Sequence, residues 1–466
     1  MVEPSRYDVA VIGAGIGGYV SAIRLAQLGK KVALIEKDRL GGTCLNWGCI
    51  PTKALLVTAD LLSKVKWSEE FGVHIEKVTI DFEKVTARKD AVVNRLTEGV
   101  RFLVKKNNIS LIKGKGTILS KNQVHVLRAD GSEETLEARN IVIATGSEER
   151  KTSYAEIDEE RVLTTKGALR LRESPKSLAV IGGDIVGIEF AVIFNALGSD
   201  VKVLEAAPNL LPRLDKDVGT TYLRILRKKG IEVFLDTVVR SVNVKPDRKV
   251  GIVAIKGGSQ LEIETEKALV TDGRKPLTEG LGLERIGIQT KDGFISVNKH
   301  MRTSVPSIYA VGDVTGGKMF AHIAIAQGVV AAENIAGLES TYDDKTVPTC
   351  LYCQPEAASI GLSEDEAEEQ GYEVAVGKFP HTASGRALAL GETDGFAKIV
   401  CDKETGEILG VHLVGSNATD LIGEAALAMK LECTHEELGT LIHPHPTISE
   451  AVMEAAKAVS KRAIHI

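Results

Sequence analysis

The largely apolar run from Tyr7 to Ile12 reads as a buried strand, the glycines that follow as a turn, and Gly17 to Leu28, with apolar positions at helical spacing, as a helix. Lys31 to Glu36 returns to a short apolar run, so the N-terminal segment predicts strand, turn, helix and strand, a βαβ unit. The pattern begins again at Ser177. An apolar run Leu178 to Ile181 leads into Gly182-Gly183-Asp184-Ile185-Val186-Gly187, a helix to about Leu197 and a strand Val201 to Glu205. A further strand ends at Val311-Gly312-Asp313, after the turn-rich Thr303 to Ser307, and a helix is expected over Ile323 to Ala336. From about Val347 the pattern changes to strand-like segments (Phe396 to Cys401, Glu407 to Val414) and then alanine-rich helices from Asp420, with no nucleotide motif. The acidic run Glu364 to Gln370 reads as a helix with a solvated face.

Composition narrows the class. A chain of 466 residues should hold roughly three domains. Hydrophobic residues at 44% and charged residues at 26% are ordinary for a globular protein, and a net charge of -5 argues against a broad basic surface for nucleic acid. No apolar run approaches the roughly 20 residues of a membrane span, and the short segment before the first strand leaves no room for a signal peptide's apolar core. A cytoplasmic site is the expectation. Six cysteines in so long a chain do not make a secreted disulfide scaffold, and a reducing compartment suits a disulfide that catalysis opens and closes.

Chemistry concentrates in short motifs. Cys44 and Cys49 lie in Gly41-Gly42-Thr43-Cys44-Leu45-Asn46-Trp47-Gly48-Cys49-Ile50-Pro51-Thr52-Lys53, just beyond the first glycine turn. A bend at Gly48 and a helix entered at Pro51 would bring the two sulfurs within disulfide distance, with Cys49 near a helix N-terminus that favours a thiolate. Gly13, Gly15 and Gly18 fit G-x-G-x-x-G: the first makes the turn, the second admits a pyrophosphate, and the third lets helix and strand pack closely. Glu36, at the end of the second strand, is placed to hold ribose hydroxyls. In the second unit Gly182 and Gly187 keep the pattern, and Glu205 occupies the equivalent acidic position with no following arginine, which favours NAD over NADP. Asp184 stands where the second glycine belongs, so a Cβ and a negative charge are expected where a diphosphate should approach.

The thiol segment resembles the redox-active segment of the flavoprotein disulfide reductases, in wording closest to the members that oxidise dihydrolipoamide, and the likeness runs from about Tyr7 to the C-terminus. The resemblance implies an α/β protein with two Rossmann-like dinucleotide-binding domains, for FAD and for NAD, and a C-terminal α+β dimerisation domain. The implied boundaries are 1–148 and 277–345 for a discontinuous FAD-binding and central domain, 149–276 for the NAD-binding domain, and 346–466 for the interface domain of a homodimer. It implies a redox-active Cys44–Cys49 disulfide, Lys53 near the flavin and paired with Glu189, and FAD contacts at Gly116, Thr145, Gly146, Asp313 and Ala321. For the NAD site it adds Val239 and Gly273, while Asp272, before Gly273-Arg274, departs from the usual apolar residue. The segment His443-Pro444-His445-Pro446-Thr447-Ile448-Ser449-Glu450 resembles the family's C-terminal acid-base motif, which points to His445 as proton carrier and Glu450 as its orienting carboxylate.

On this reading the reaction is NAD-dependent oxidation of dihydrolipoamide, carried on a lipoyl domain of a 2-oxoacid dehydrogenase complex or on a small dithiol. Three alternatives stay open: another disulfide reductase, a dithiol oxidase with impaired NAD use, and a mainly structural flavoprotein of a multienzyme complex. No metal site is expected. Cys350 and Cys353 form C-x-x-C without a second pair to complete a zinc set and read, like Cys401 and Cys433, as core positions.

Overall fold

The computed structural model describes residues 5–466. The chain gathers into two compact units, one of residues 5–54, Thr86–Lys151 and Asp272–Asp343, the other of Leu55–Val85, Thr152–Thr271 and Asp344–Ile466.

In the first unit a seven-stranded sheet, counted among the described residues, is built on Ser5–Ile12. That strand lies parallel to Val32–Glu36 on one side and to Glu133–Ile143 on the other, and Ile308–Ala310 joins parallel to Glu133–Ile143. Val9, Ala10 and Val11 have no exposed surface, as strands covered on both faces require. The helix Ile16–Gln27 packs on this sheet, completing the βαβ unit. An antiparallel extension, Lys115–Ser120 and Gln123–Leu127, closes the far edge.

The second unit repeats the arrangement. Ser177–Ile181 lies parallel between Asp200–Leu204 and Lys267–Val270 in a five-stranded sheet, followed by the helix Ile185–Ala196. Eight of that helix's twelve residues are buried, so it shows little amphipathic pattern and reads as an apolar run. The strands Thr237–Val244, Val250–Lys256 and Ser259–Thr265 form a separate antiparallel sheet. The C-terminal part is a five-stranded antiparallel sheet, with Phe396–Asp402 and Ile408–Gly415 at its centre. The helices Ala418–Lys430 and Glu450–Val459 pack on its strands. Both dinucleotide folds and the C-terminal α+β part therefore follow the sequence pattern.

Two local features differ from expectation. The helix carrying Cys49 begins at Cys49 itself, not at Pro51, and a separate short helix Gly42–Trp47 holds Cys44. Proline is tolerated in a first helical turn because its missing N–H would have had no partner there, so Pro51 marks the turn without fixing its start. The acidic helix Glu364–Glu369 is not simply a solvated face. Glu364 accepts from Lys398 Nζ at 2.8 Å, and Lys398, 1% exposed, also reaches Asp215 at 2.9 Å and Asp217 at 3.1 Å. Asp215 in turn caps the helix Lys216–Lys228 through the Asp217 N–H.

Candidate active site

Cys49 is the first residue of the helix Cys49–Lys66. The Cys44 thiol donates to the Cys49 sulfur, while the Cys49 backbone N–H donates back to the Cys44 sulfur. That side-chain bond, burial and the neighbouring sulfur together push the Cys44 thiol far above its ordinary range, against the pull of the Lys53 ammonium. Both cysteines are free thiols in this structure. Cys44 holds its proton while Cys49 sits where helix N–H groups stabilise an anion, so the geometry orders the two: Cys49 is the sulfur poised to carry negative charge. Burial first, and the Cys44 sulfur second, raise the phenol of Tyr19. Sequence reading did not single out Tyr19, because nothing in its spacing marks it.

The thiol segment is tied to the first glycine turn. Gly41 forms a parallel bridge with Gly15, and the Gly41 N–H donates to Ala14 O at 2.8 Å. A Cβ added at Gly18 would lie 1.8 Å from Gly13 O, so glycine there is demanded by packing. Gly15 is different. Its backbone is ordinary extended conformation, φ -67° and ψ -175°, and an added Cβ would meet nothing closer than Gly42 Cα at 3.9 Å. The protein itself does not need glycine at 15; the open space fits a diphosphate approaching the helix N-terminus. Glu36 closes the turn, accepting from Ala14 N at 2.7 Å and Asp38 N at 2.8 Å.

Around this turn, Asp313 meets Ser147 Oγ at 2.5 Å, and Arg274 Nε approaches the same carboxylate at 3.9 Å. Burial pushes the Asp313 carboxyl up, against the pulls of Ser147 and Arg274. Arg274 also donates to Ser147 O, a fork that sequence reading passed over although it follows Gly273 directly. The hydroxyl of Thr145 donates to Leu277 O, and Gly146 O accepts from Leu277 N. Gly116 faces Ile12, which a Cβ would approach to 3.0 Å, and Ala321 opens the helix Ala321–Ala336.

The second turn has the same skeleton. Glu205 accepts from Gly183 N at 2.5 Å and Ala207 N at 2.8 Å, matching Glu36 atom for atom. A Cβ at Gly187 would lie 1.9 Å from Gly182 O, as at Gly18. Asp184 has φ -87° and ψ 177°, the conformation of Gly15, but its side chain occupies the corresponding space. The second turn therefore fits a dinucleotide except at residue 184. Gly273 O accepts from Arg150 N, and Val239 sits half-buried on Thr237–Val244 against that unit's core. Glu189 is buried on the helix Ile185–Ala196 and accepts from Tyr352 N at 3.3 Å.

The two histidines of the C-terminal loop are distinguished by their partners. His443, with a side chain only 4% exposed, has Nε2 at 2.8 Å from Glu424 and Nδ1 at 3.0 Å from Leu441 O. Both nitrogens face acceptors, so the imidazolium is satisfied. His445 is 80% exposed, with Nδ1 at 2.9 Å from Glu450, and among the described residues Nε2 has no partner. Burial works against the Glu450 carboxylate, but the Thr447 N–H and the His445 ring outweigh it and hold its pKa low.

Glu424 raises the His443 pKa. A raised histidine contributes stability that is fully present below its unfolded pKa of about 6.5 and lost as pH rises through the folded value. Glu424→Gln should therefore lower the His443 pKa toward its ordinary range, read by NMR titration of the ring protons, and weaken the protein more at pH 5.5 than at pH 8.

Cys353 has no exposed surface, whereas Cys350 is half-buried in a different hydrophobic cluster. Cys350 lies on the strand Thr349–Leu351, whereas Cys353 falls beyond its end.

A paired-thiol helix start bridged to one of two dinucleotide turns defines a class of two-electron sulfur enzymes, and the comparisons agree. The chain belongs to the pyridine nucleotide-disulphide oxidoreductase family, whose model matches residues 7–328, while the family's dimerisation domain matches 347–456. Among curated relatives, the chain is 45% identical over 471 residues to a dihydrolipoyl dehydrogenase of Bacillus subtilis, covering 99% of each. It is 46% identical over 463 residues to the dihydrolipoyl dehydrogenase of Thermus scotoductus, again over 99% of each. Among solved structures, LpdA from Mycobacterium tuberculosis superposes with a TM-score of 0.90 at 27% identity, covering 97% of this chain and 99% of that one. The HOCl-induced flavoprotein disulfide reductase RclA from Escherichia coli gives 0.85 at 29% identity, covering 98% and 100%. Among the described residues no helix is long and apolar enough to cross a membrane.

Proposed function

We propose that the protein oxidises dihydrolipoamide to lipoamide with NAD as acceptor, through a disulfide between Cys44 and Cys49. The observation that carries this reading is the Cys44–Cys49 sulfur contact at a helix N-terminus, bridged through Gly41 to a glycine turn that leaves room for a diphosphate. In the oxidised protein a substrate thiolate attacks the Cys44 sulfur, the Cys44–Cys49 bond breaks, and Cys49 leaves as a thiolate stabilised by the helix N–H groups. The second substrate sulfur then attacks the sulfur bound to Cys44, closing the lipoamide ring and leaving Cys44 reduced. His445 Nε2 accepts the substrate's proton while Glu450 fixes the tautomer through Nδ1. FAD, when bound, would supply a two-electron relay between the dithiol and NAD. Gly13, Gly15, Gly18, Glu36 and Asp313 would hold FAD, and Lys53 keeps positive charge beside the sulfurs.

The dimerisation domain supports a homodimer. Leu427, Leu431, Leu441 and Ile442 are exposed in the single chain and offer apolar surface for a second copy to cover. The proposed partner is a lipoyl domain of a 2-oxoacid dehydrogenase complex, in keeping with the relatives' names, and a cytoplasmic site suits a thiol pair that must be reduced and reoxidised.

The test is anaerobic mixing of the oxidised holoenzyme with dihydrolipoamide, without NAD, followed through the visible spectrum. Reduction should leave two additional titratable thiols, and an unchanged spectrum with no new thiols would remove the reading. His445→Gln should slow this half-reaction on the order of 10²-fold at pH 7. The deficit should shrink by pH 9, because a substrate thiol with a pKa near about 8.5 then ionises without help.

A further inference from the structure

The chain contains its own control for the residue at 184. Gly15 and Asp184 occupy the same place in the two glycine turns, each the residue before a 12-residue helix and each in extended backbone conformation. Around Gly15 the space stays open and no side chain caps the helix. At the second turn Asp184 Oδ1 accepts from Ile185 N at 2.9 Å, taking up an amide that a diphosphate oxygen would otherwise use. Asp184 Oδ2 lies 3.7 Å from Arg213 Nε. Arg213 is 71% exposed and Asp184 41%, so both side chains have room to move. The guanidinium is the cation paired with this carboxylate.

We propose that Arg213 is a diphosphate-binding residue of the second dinucleotide site: it neutralises Asp184 in the free protein and carries the diphosphate's negative charge when NAD(H) binds. The inference rests on the reading that this site takes NAD(H). A diphosphate beside an uncompensated carboxylate is repelled, whereas an arginine can turn its fork of donors from carboxylate to phosphate, since both accept it in the same planar manner. The Asp184–Arg213 pair thus replaces bare backbone as the means of holding the diphosphate. NADH affinity becomes dependent on a side chain that a glycine at 184 would make dispensable.

A double-mutant cycle tests this on the holoenzyme, with the NADH dissociation constant measured by titration calorimetry. Asp184→Gly alone should tighten binding. Arg213→Ala should weaken binding about tenfold in the native background and less than threefold in Asp184→Gly. A ratio of the two losses above three supports the proposal; a ratio of three or below, or a protein that binds NADH in none of the four forms, overturns it. Arg213→Gln provides the same comparison should the alanine variant fail to fold, and Arg213→Lys should recover part of the loss. Reduction by dihydrolipoamide without NAD uses the other half of the reaction, so failure here leaves the proposed sulfur chemistry standing, and failure there is recognised separately.

Discussion

Serine in place of Cys49 is expected to lower NAD-coupled dihydrolipoamide oxidation by at least about 10⁴-fold, and serine in place of Cys44 by a similar factor. The loss is large because the reaction needs a bond that can be broken and remade between two sulfurs, and oxygen cannot form its equivalent. The variants should fail differently. With Cys49→Ser, Cys44 retains a sulfur with no partner to release, so a substrate thiolate finds no disulfide to attack. With Cys44→Ser, Cys49 keeps its place at the helix start, and its ionisation should follow a single step in place of the coupled titration of two thiols. Steady-state turnover measures the first effect, and the pH dependence of thiolate ultraviolet absorbance measures the second. Turnover within tenfold of the native protein in either variant would contradict the disulfide assignment.

Removing the Lys398 ammonium should be the most damaging single change to stability, at about 3–5 kcal/mol for Lys398→Ala. Lys398 lies on a central strand of the C-terminal sheet and meets Asp215, itself 1% exposed, with Asp217 and Glu364 beside it. Burial opposes the charged form of Asp215, and the facing His412 ring and Lys398 more than offset it, so the carboxyl is held below its ordinary range. Burial keeps the His412 ring low as well, which leaves Lys398 as the principal counter-charge at neutral pH. A carboxyl with a depressed folded pKa contributes stability that is present above its unfolded value of about 3.9 and lost as pH falls through the folded one. Urea unfolding should therefore separate native protein and Lys398→Ala widely at pH 7 and progressively less as pH falls below about 3.9. Lys398→Met should fare little better at pH 7, since it too strands Asp215, whereas adding Asp215→Asn should recover part of the loss. An unchanged urea midpoint in Lys398→Ala would show that the network is inert.

The glycine turns, the thiol pair and the proline-flanked histidines were legible in the sequence because each is a short contiguous motif whose spacing is itself the chemistry. The buried Lys398 network was not legible. Its members come from residues 215, 217, 364 and 398, and an acidic run on a helix gives no sign of a lysine arriving from a distant strand. Arg213 escaped notice for the same reason, since its link to Asp184 is made by the fold. The helix start at Cys49 was misplaced by two residues because proline is compatible with several places in a first turn. His445 and His443 could be ranked but not explained until their partners were seen: one ring has both nitrogens engaged, and the other keeps one available.

The matched carboxylate clamps of Glu36 and Glu205 look like two copies of one ancestral segment, preserved to the same pair of amides. Where Gly18 and Gly187 are held by steric demand in either copy, the residue before each helix is under no such constraint, because its backbone suits any amino acid. Folding cannot police that place. Mutation there is filtered by ligand use alone, so a side chain at 184 can alter what the second pocket holds at no cost to the fold.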